Sequence, residues 1–189
     1  MKARSLNHDT PVNLAQHTYW NLGGHSSGDI LNHTIQIFAS RITPVDASLI
    51  PTGELAPVDD TAYDFRQPNA IGSRIGELPY GYDVNYALDY PKDCNGMRKA
   101  AVLKESKTGR RMELYTNQAG LQFYTSGKLL NVAGKAGYTY QIHAGVALET
   151  QGFPDAVNHP SFPSQFLGVG QVYRHKMHFK FSFDDGCDD

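Results

Sequence analysis

The 189-residue chain carries 17 Lys and Arg against 19 Asp and Glu, a formal net charge of −2, with hydrophobic residues at 40%. This length fits one domain with a sizeable core, and the near-balanced charge offers no basic field for a phosphate backbone or an anionic bilayer, so neither nucleic acid nor a membrane is an expected partner. No run approaches the roughly 18 apolar residues of a membrane span, and the first residues lack the apolar stretch of a signal peptide, so a soluble, cytoplasmic protein is expected.

Eighteen Gly and ten Pro, scattered among eleven Tyr and nine Phe, leave few windows long enough for a three-turn helix, so short strands are predicted throughout. Residues 11–19 read as a strand that sends Asn13, Ala15, His17 and Tyr19 to one side and Val12, Leu14 and Gln16 to the other. Asn32-His33-Thr34 matches the glycosylation pattern but has no secretory signal to bring it into use. Thr34-Ile35-Gln36-Ile37-Phe38 alternates like a strand. Residues 43–74, rich in Pro, Gly and Asp, read as long connecting loops with a short helical turn near 69–75. Val84, Tyr86, Leu88 and Tyr90 alternate with Asn85, Ala87 and Asp89. A hairpin is predicted around Lys107-Thr108-Gly109-Arg110, joining residues 100–103 to Met112-Glu113-Leu114-Tyr115.

Residues 141–149 read as a strand with Ile142, Ala144, Val146 and Leu148 on one face and His143, Gly145, Ala147 and Glu149 on the other. Over residues 172–183, Tyr173, His175, Met177, Phe179, Phe181 and Phe183 form one mostly apolar face of a long strand. The acidic end, residues 184–189, is expected to be a disordered tail to a domain covering residues 1–183. The two cysteines, Cys94 in a polar loop and Cys187 in that tail, predict no disulfide framework. Recurring strands and turns favour a β-sandwich over a helix-covered parallel sheet.

His17 lies next to small Ala15 on its face of the first strand, where it reads either as a pocket residue or as a hydrogen-bonded core or surface histidine. Glu149 has Gly145 and Ala147 beside it, which leaves room for a ring, but the residues alone favour an exposed glutamate before the Gly152-Phe153-Pro154 turn. Asp83 and Gln118 stand among aromatics, a mixture that suits sugar hydroxyls and C–H faces, or else both cap turns.

Other chemistries fit less well. Gly24-His25-Ser26-Ser27-Gly28 has the G-x-S-x-G spacing, but Gly23-Gly24 precedes it where a nucleophile elbow needs a buried apolar strand. His175 and His178, three apart on a strand, point to opposite faces, and there is no H-E-x-x-H or paired Cys-x-x-Cys, so no metal site is expected. No glycine-rich phosphate loop follows a strand.

The run His17-Thr18-Tyr19-Trp20-Asn21-Leu22-Gly23-Gly24-His25 resembles a signature of the aldose 1-epimerases, the galactose mutarotase family. Ile50-Pro51-Thr52-Gly53-Glu54-Leu55, Gly81-Tyr82-Asp83-Val84-Asn85-Tyr86, the stretch from Thr116 through Gln118 to Thr125, and Leu148-Glu149-Thr150-Gln151-Gly152-Phe153-Pro154-Asp155-Ala156 are similar to further motifs of that family, in wording closest to plant or other eukaryotic members. The resemblance runs from about Lys2 to Phe183 and implies a large antiparallel β-sandwich of the galactose mutarotase type. It also implies cofactor-free interconversion of the α and β anomers of hexoses such as galactose and glucose.

Carried over by motif, Glu149 resembles the general base that takes the anomeric hydroxyl proton, and His17 the general acid that protonates the ring oxygen. Asp83 and Gln118 resemble substrate contacts. An unperturbed histidine near pKa 6.5 and a glutamate near 4.3 have suitable protonation states near neutrality. The chain resembles roughly the C-terminal half of a typical member, without the N-terminal arginine and second histidine of the family's site. Exposed sheet edges, and self-association through them, are therefore expected. A sugar-binding pseudoenzyme, or an acid/base isomerase or cyclase acting on another small molecule, are the alternative functions.

Overall fold

The computed structural model describes residues 1–89 and 93–183; Tyr90 and the acidic end at 184–189 lie outside them. The first strands are β1 (Lys2–Arg4), β2 (Thr10–Pro11), β3 (Tyr19–Trp20), β4 (Thr34–Ile37), β5 (Arg41–Thr43), β6 (Ala56–Pro57) and β7 (Asn69–Ala70). The central ones are β8 (Asp83–Ala87), β9 (Arg98–Glu105), β10 (Arg110–Thr116) and β11 (Gly120–Tyr124). The chain then forms β12 (Val132–Ala133), β13 (Thr139–Tyr140), β14 (Val146–Gln151), β15 (Phe166–Leu167), β16 (Val172–Arg174) and β17 (Met177–Phe183). Short 3₁₀ turns at Ile71–Ser73 and Ile75–Glu77 occupy the place of the expected helical turn. Among the described residues, no helix is long and apolar enough to cross a membrane.

Two antiparallel sheets dominate: five strands in the order β17-β10-β9-β4-β7, and six in the order β3-β14-β11-β8-β5-β6. The hairpin about residues 107–110 joins β9 to β10 as anticipated. Alternate residues face the core between the sheets: Ile35, Ile37, Leu103, Met112 and Leu114 from one, and Val84, Tyr86, Leu121, Phe123, Val146 and Leu148 from the other. Phe123 lies at the centre of an aromatic cluster, stacked on Tyr82 at 5.0 Å and edge-on to Phe65 at 5.6 Å. The result is an all-β antiparallel sandwich.

Three predicted strands differ from the structure. Residues 11–19 do not form one strand: β2 pairs with β15, β3 pairs with β14, and residues 12–18 run between them as irregular chain. Pro11 has no N–H to extend a ladder, and the Asn13 side chain takes over the pairing by bonding both backbone groups of Gly152. The strand ending at Glu149 begins only at Val146, because His143 turns through a left-handed φ of 60° and Ala144 N–H closes back on Gln141 O. Residues 172–183 break at His175 and Lys176, where the Asn117 side chain bonds Arg174 O and Lys176 N. His175 and His178 thus do not belong to one continuous strand.

The exposed edge strand β17 keeps part of the expected apolar surface in view: Phe183 is 68% exposed and Phe181 56%, although Phe181 and Phe179 both lean on Trp20, at 5.6 and 5.3 Å. Replacing Phe123→Ala should lower unfolding stability by about 3–5 kcal/mol, while Phe183→Ala should change it by no more than about 0.5 kcal/mol. Urea denaturation of the two variants checks this; equal losses would contradict the assigned core.

Candidate active site

The outward face of the six-stranded sheet is built by the residues that alternate with the core. Register sets Glu149 opposite Gln122 and Gln122 opposite Asn85, which makes one polar row across β14, β11 and β8. The next row sets Tyr19, Ala147, Tyr124 and Asp83 side by side. Small Ala147 lets the rings of Tyr19 and Tyr124 approach to 6.2 Å, edge to face. A side chain at Gly120 would meet Asn85 Oδ1 at 2.5 Å, so glycine is what allows the amides to gather there.

His17 arrives from the irregular segment rather than from a strand. Its Nε2 lies 3.3 Å from Glu149 Oε1, with the imidazole half exposed and the carboxylate side chain only 10% exposed. The imidazole leans on Tyr19, ring centres 5.0 Å apart. Gln122 Nε2 donates to Asp83 Oδ1 at 2.9 Å, and Gln151 Nε2 donates at 3.2 Å both to Gln122 Oε1 and to Asn85 Oδ1. This relay fixes which end of the Gln122 amide faces Asp83. Lys128 Nζ approaches the other Asp83 oxygen at 3.8 Å.

Together His17, Asp83, Gln122, Tyr124, Glu149, Gln151 and Pro154 line a hollow of about 370 Å³, a size suited to a small ligand. A larger and more apolar hollow of about 530 Å³ lies beyond Tyr19, between Trp20 and Tyr140, but no carboxylate lines it. Burial pushes the Glu149 carboxyl above its usual pKa; the imidazole of His17 opposes that shift and the charge of Asp83 adds to it. Such a group, partly withdrawn from water beside a histidine and open to a cleft, has the setting of a general base. Among the described residues, no group of three or more His, Cys, Asp and Glu is arranged to hold a metal ion.

Three of the four residues singled out from sequence, His17, Asp83 and Glu149, meet in this hollow, and Gln118 does not. Gln118 sits in the turn before β11, its backbone N–H on Thr116 Oγ1 and its amide on Asn117 Oδ1, and it lines a separate hollow of about 240 Å³. The strand begins at Gly120, so its outward positions are Gln122 and Tyr124. Apolar Leu121 and Phe123 alternating with Gln122 and Tyr124 carried that information. Gln151 has the same signal, two residues beyond Glu149 on one strand face. The space expected beside Gly145 is filled: a side chain there would come within 3.1 Å of Tyr19 Cβ.

Residues 1–180 match the family model described as aldose 1-epimerase. The chain belongs to the aldose 1-epimerase family. It is 44% identical over 176 residues to galactose mutarotase from Rattus norvegicus, covering 92% of this chain and 50% of that protein. It is 33% identical over 178 residues to aldose 1-epimerase from Escherichia coli (strain K12), covering 90% and 51%. Among solved structures, an aldose epimerase homologue from C. elegans superposes with a TM-score of 0.83 at 25% identity over 95% of this chain and 54% of that one. The chain spans about half the length of the curated relatives it matches.

The electrostatics of this family member's hollow are open to measurement. By NMR titration Glu149 should ionise above the ordinary glutamate range; His17→Asn should move it further up, because an opposing charge is lost, and Asp83→Asn should move it down. An ordinary Glu149 pKa, unmoved by either change, would contradict the described environment.

Proposed function

We propose that this chain is an isomerase that interconverts the α and β anomers of hexoses such as galactose and glucose, with Glu149 as general base and His17 as general acid. The observation that carries the reading is the 3.3 Å approach of His17 Nε2 to Glu149 Oε1 at the open hollow. The two oxygens of a cyclic hemiacetal that must exchange protons, O1 and the ring oxygen O5, are bonded to the same carbon. An acid and a base that serve them must therefore stand side by side.

Glu149 removes the proton from the O1 hydroxyl while His17 donates one to O5; the C1–O5 bond breaks and C1–O1 becomes a carbonyl. Rotation about C1–C2 presents the other face of the aldehyde. Reclosure returns a proton from Glu149 to O1 and one from the O5 hydroxyl to His17, so both groups end as they began. Asp83 and Gln122 are placed to take sugar hydroxyls: Asp83 as acceptor, Gln122 through the amide that Gln151 orients. Tyr124, in the lining of the hollow, offers an apolar face to ring C–H groups. The family names of the relatives, galactose mutarotase and aldose 1-epimerase, support this substrate class.

Polarimetry on freshly dissolved α-D-galactose and α-D-glucose is the test. The purified chain should shorten the approach to anomeric equilibrium beyond the buffer rate, and Glu149→Gln and His17→Asn should each lower kcat by about 10²–10⁴-fold with unchanged far-UV circular dichroism. Binding of sugar without acceleration would replace this reading with a binding module. Since the base form of Glu149 is lost as pH falls through its raised pKa, kcat/KM should fall on the acid side at a higher pH than an ordinary glutamate gives, and Asp83→Asn should shift that limb to lower pH. A limb that Asp83→Asn leaves in place would assign the titration to another group.

A further inference from the structure

The segment that delivers His17 has little sheet to hold it. Strand β14 pairs with β3 only at Val146 and Ala147. Beyond them, residues 12–18 are fastened by a few bonds: Val12 N–H to Gln165 O, the Asn13 amide to Gly152, and the Leu14 carbonyl to the ring of His175.

His175 is 2% exposed and uses both ring nitrogens. Its Nδ1 lies 2.9 Å from Leu14 O, and its Nε2 lies 2.7 Å from Thr150 Oγ1. A carbonyl only accepts, so the proton is on Nδ1; Nε2 of the neutral ring then accepts from the Thr150 hydroxyl. Burial favours that neutral form by pushing the His175 pKa down. Thr150 follows Glu149 in β14 and faces the opposite side of the sheet. Leu14 lies three residues before His17. The ring is thus a rigid strut from the strand of the base to the segment of the acid, applied from behind the site.

We propose that His175 is a positioning residue: it holds residues 12–18 against β14 so that the His17 imidazole meets Glu149. It rests on the acid/base reading of the hollow, but it concerns geometry that can be measured apart from turnover. A histidine that only fills space would be replaceable by any ring of similar size.

His175→Phe keeps an aromatic ring and removes both bonds, His175→Asn retains a donor near the Nδ1 position, and Thr150→Val removes only the second bond. The readouts are the nuclear Overhauser contact between the His17 ring and Glu149 side-chain protons, the Tm, and kcat and KM for galactose anomerisation. In His175→Phe the contact should disappear and kcat fall by about 10²-fold, with KM within about twofold. His175→Asn should restore the contact and most of kcat at a similarly lowered Tm. Thr150→Val, the mildest change, should weaken the contact and supplies the test if the Phe variant does not fold. A contact that persists in the folded variants with only Tm lowered would overturn the proposal, as would failure of the Asn variant to recover both contact and kcat. If the unaltered chain does not accelerate anomerisation, the functional reading fails, while the contact measurements still decide the role of His175.

Discussion

A carboxylate withdrawn from water beside a second carboxylate is unfavourable unless something compensates it, and the site is arranged around that constraint. Glu149 is shielded by its place in β14 and by Tyr19 and His17, with the charge of Asp83 close enough to raise its pKa further. The His17 imidazole at 3.3 Å is the compensating group, and it stands on the solvent side of the hollow, half exposed. The poise of the site follows from this arrangement: the base is made stronger by burial but is kept ionisable by the group proposed to serve as its acid partner.

The same three strands supply both the rigidity and the chemistry. In β8, β11 and β14 the residues pointing inward, such as Tyr86, Phe123 and Leu148, close the core, and those pointing outward, such as Asp83, Gln122 and Glu149, form the hollow. A slip of one residue in any pairing would exchange these sets, placing carboxylates in the core and aromatics in the water, so core packing also protects the register of the site. His17 is the exception. It comes from chain outside the ladders, where its position depends on side-chain bonds from Asn13 and His175.

Much of this was readable from residues alone, where the signal was local. The hairpin at residues 107–110 follows from Gly109 between the apolar run at 100–103 and residues 112–115, whereas His17, Asp83 and Glu149 are singled out by resemblance to the motifs of the family, the residues alone leaving other readings open. The errors lie where distant side chains decide the backbone. Asn117 breaks the strand that residues 172–183 suggest, and Asn13 and His175 hold residues 12–18 without a ladder; neither effect is visible in period-two patterning. Gln118 and Gln122 share a period-two phase, but the strand starts at Gly120, so Gln118 lies in the turn before it and Gln122 is the one that faces the hollow. The acidic residues 184–189 and Tyr90 lie outside the described structure.

The most direct measurement is a crystal structure of this chain with galactose bound. The sugar should lie in the hollow between Tyr124 and Pro154, with O1 within hydrogen-bond reach of Glu149 and the ring oxygen within reach of His17. Galactose seated instead beside Gln118, or in the apolar hollow between Trp20 and Tyr140, with Glu149 untouched, would contradict it.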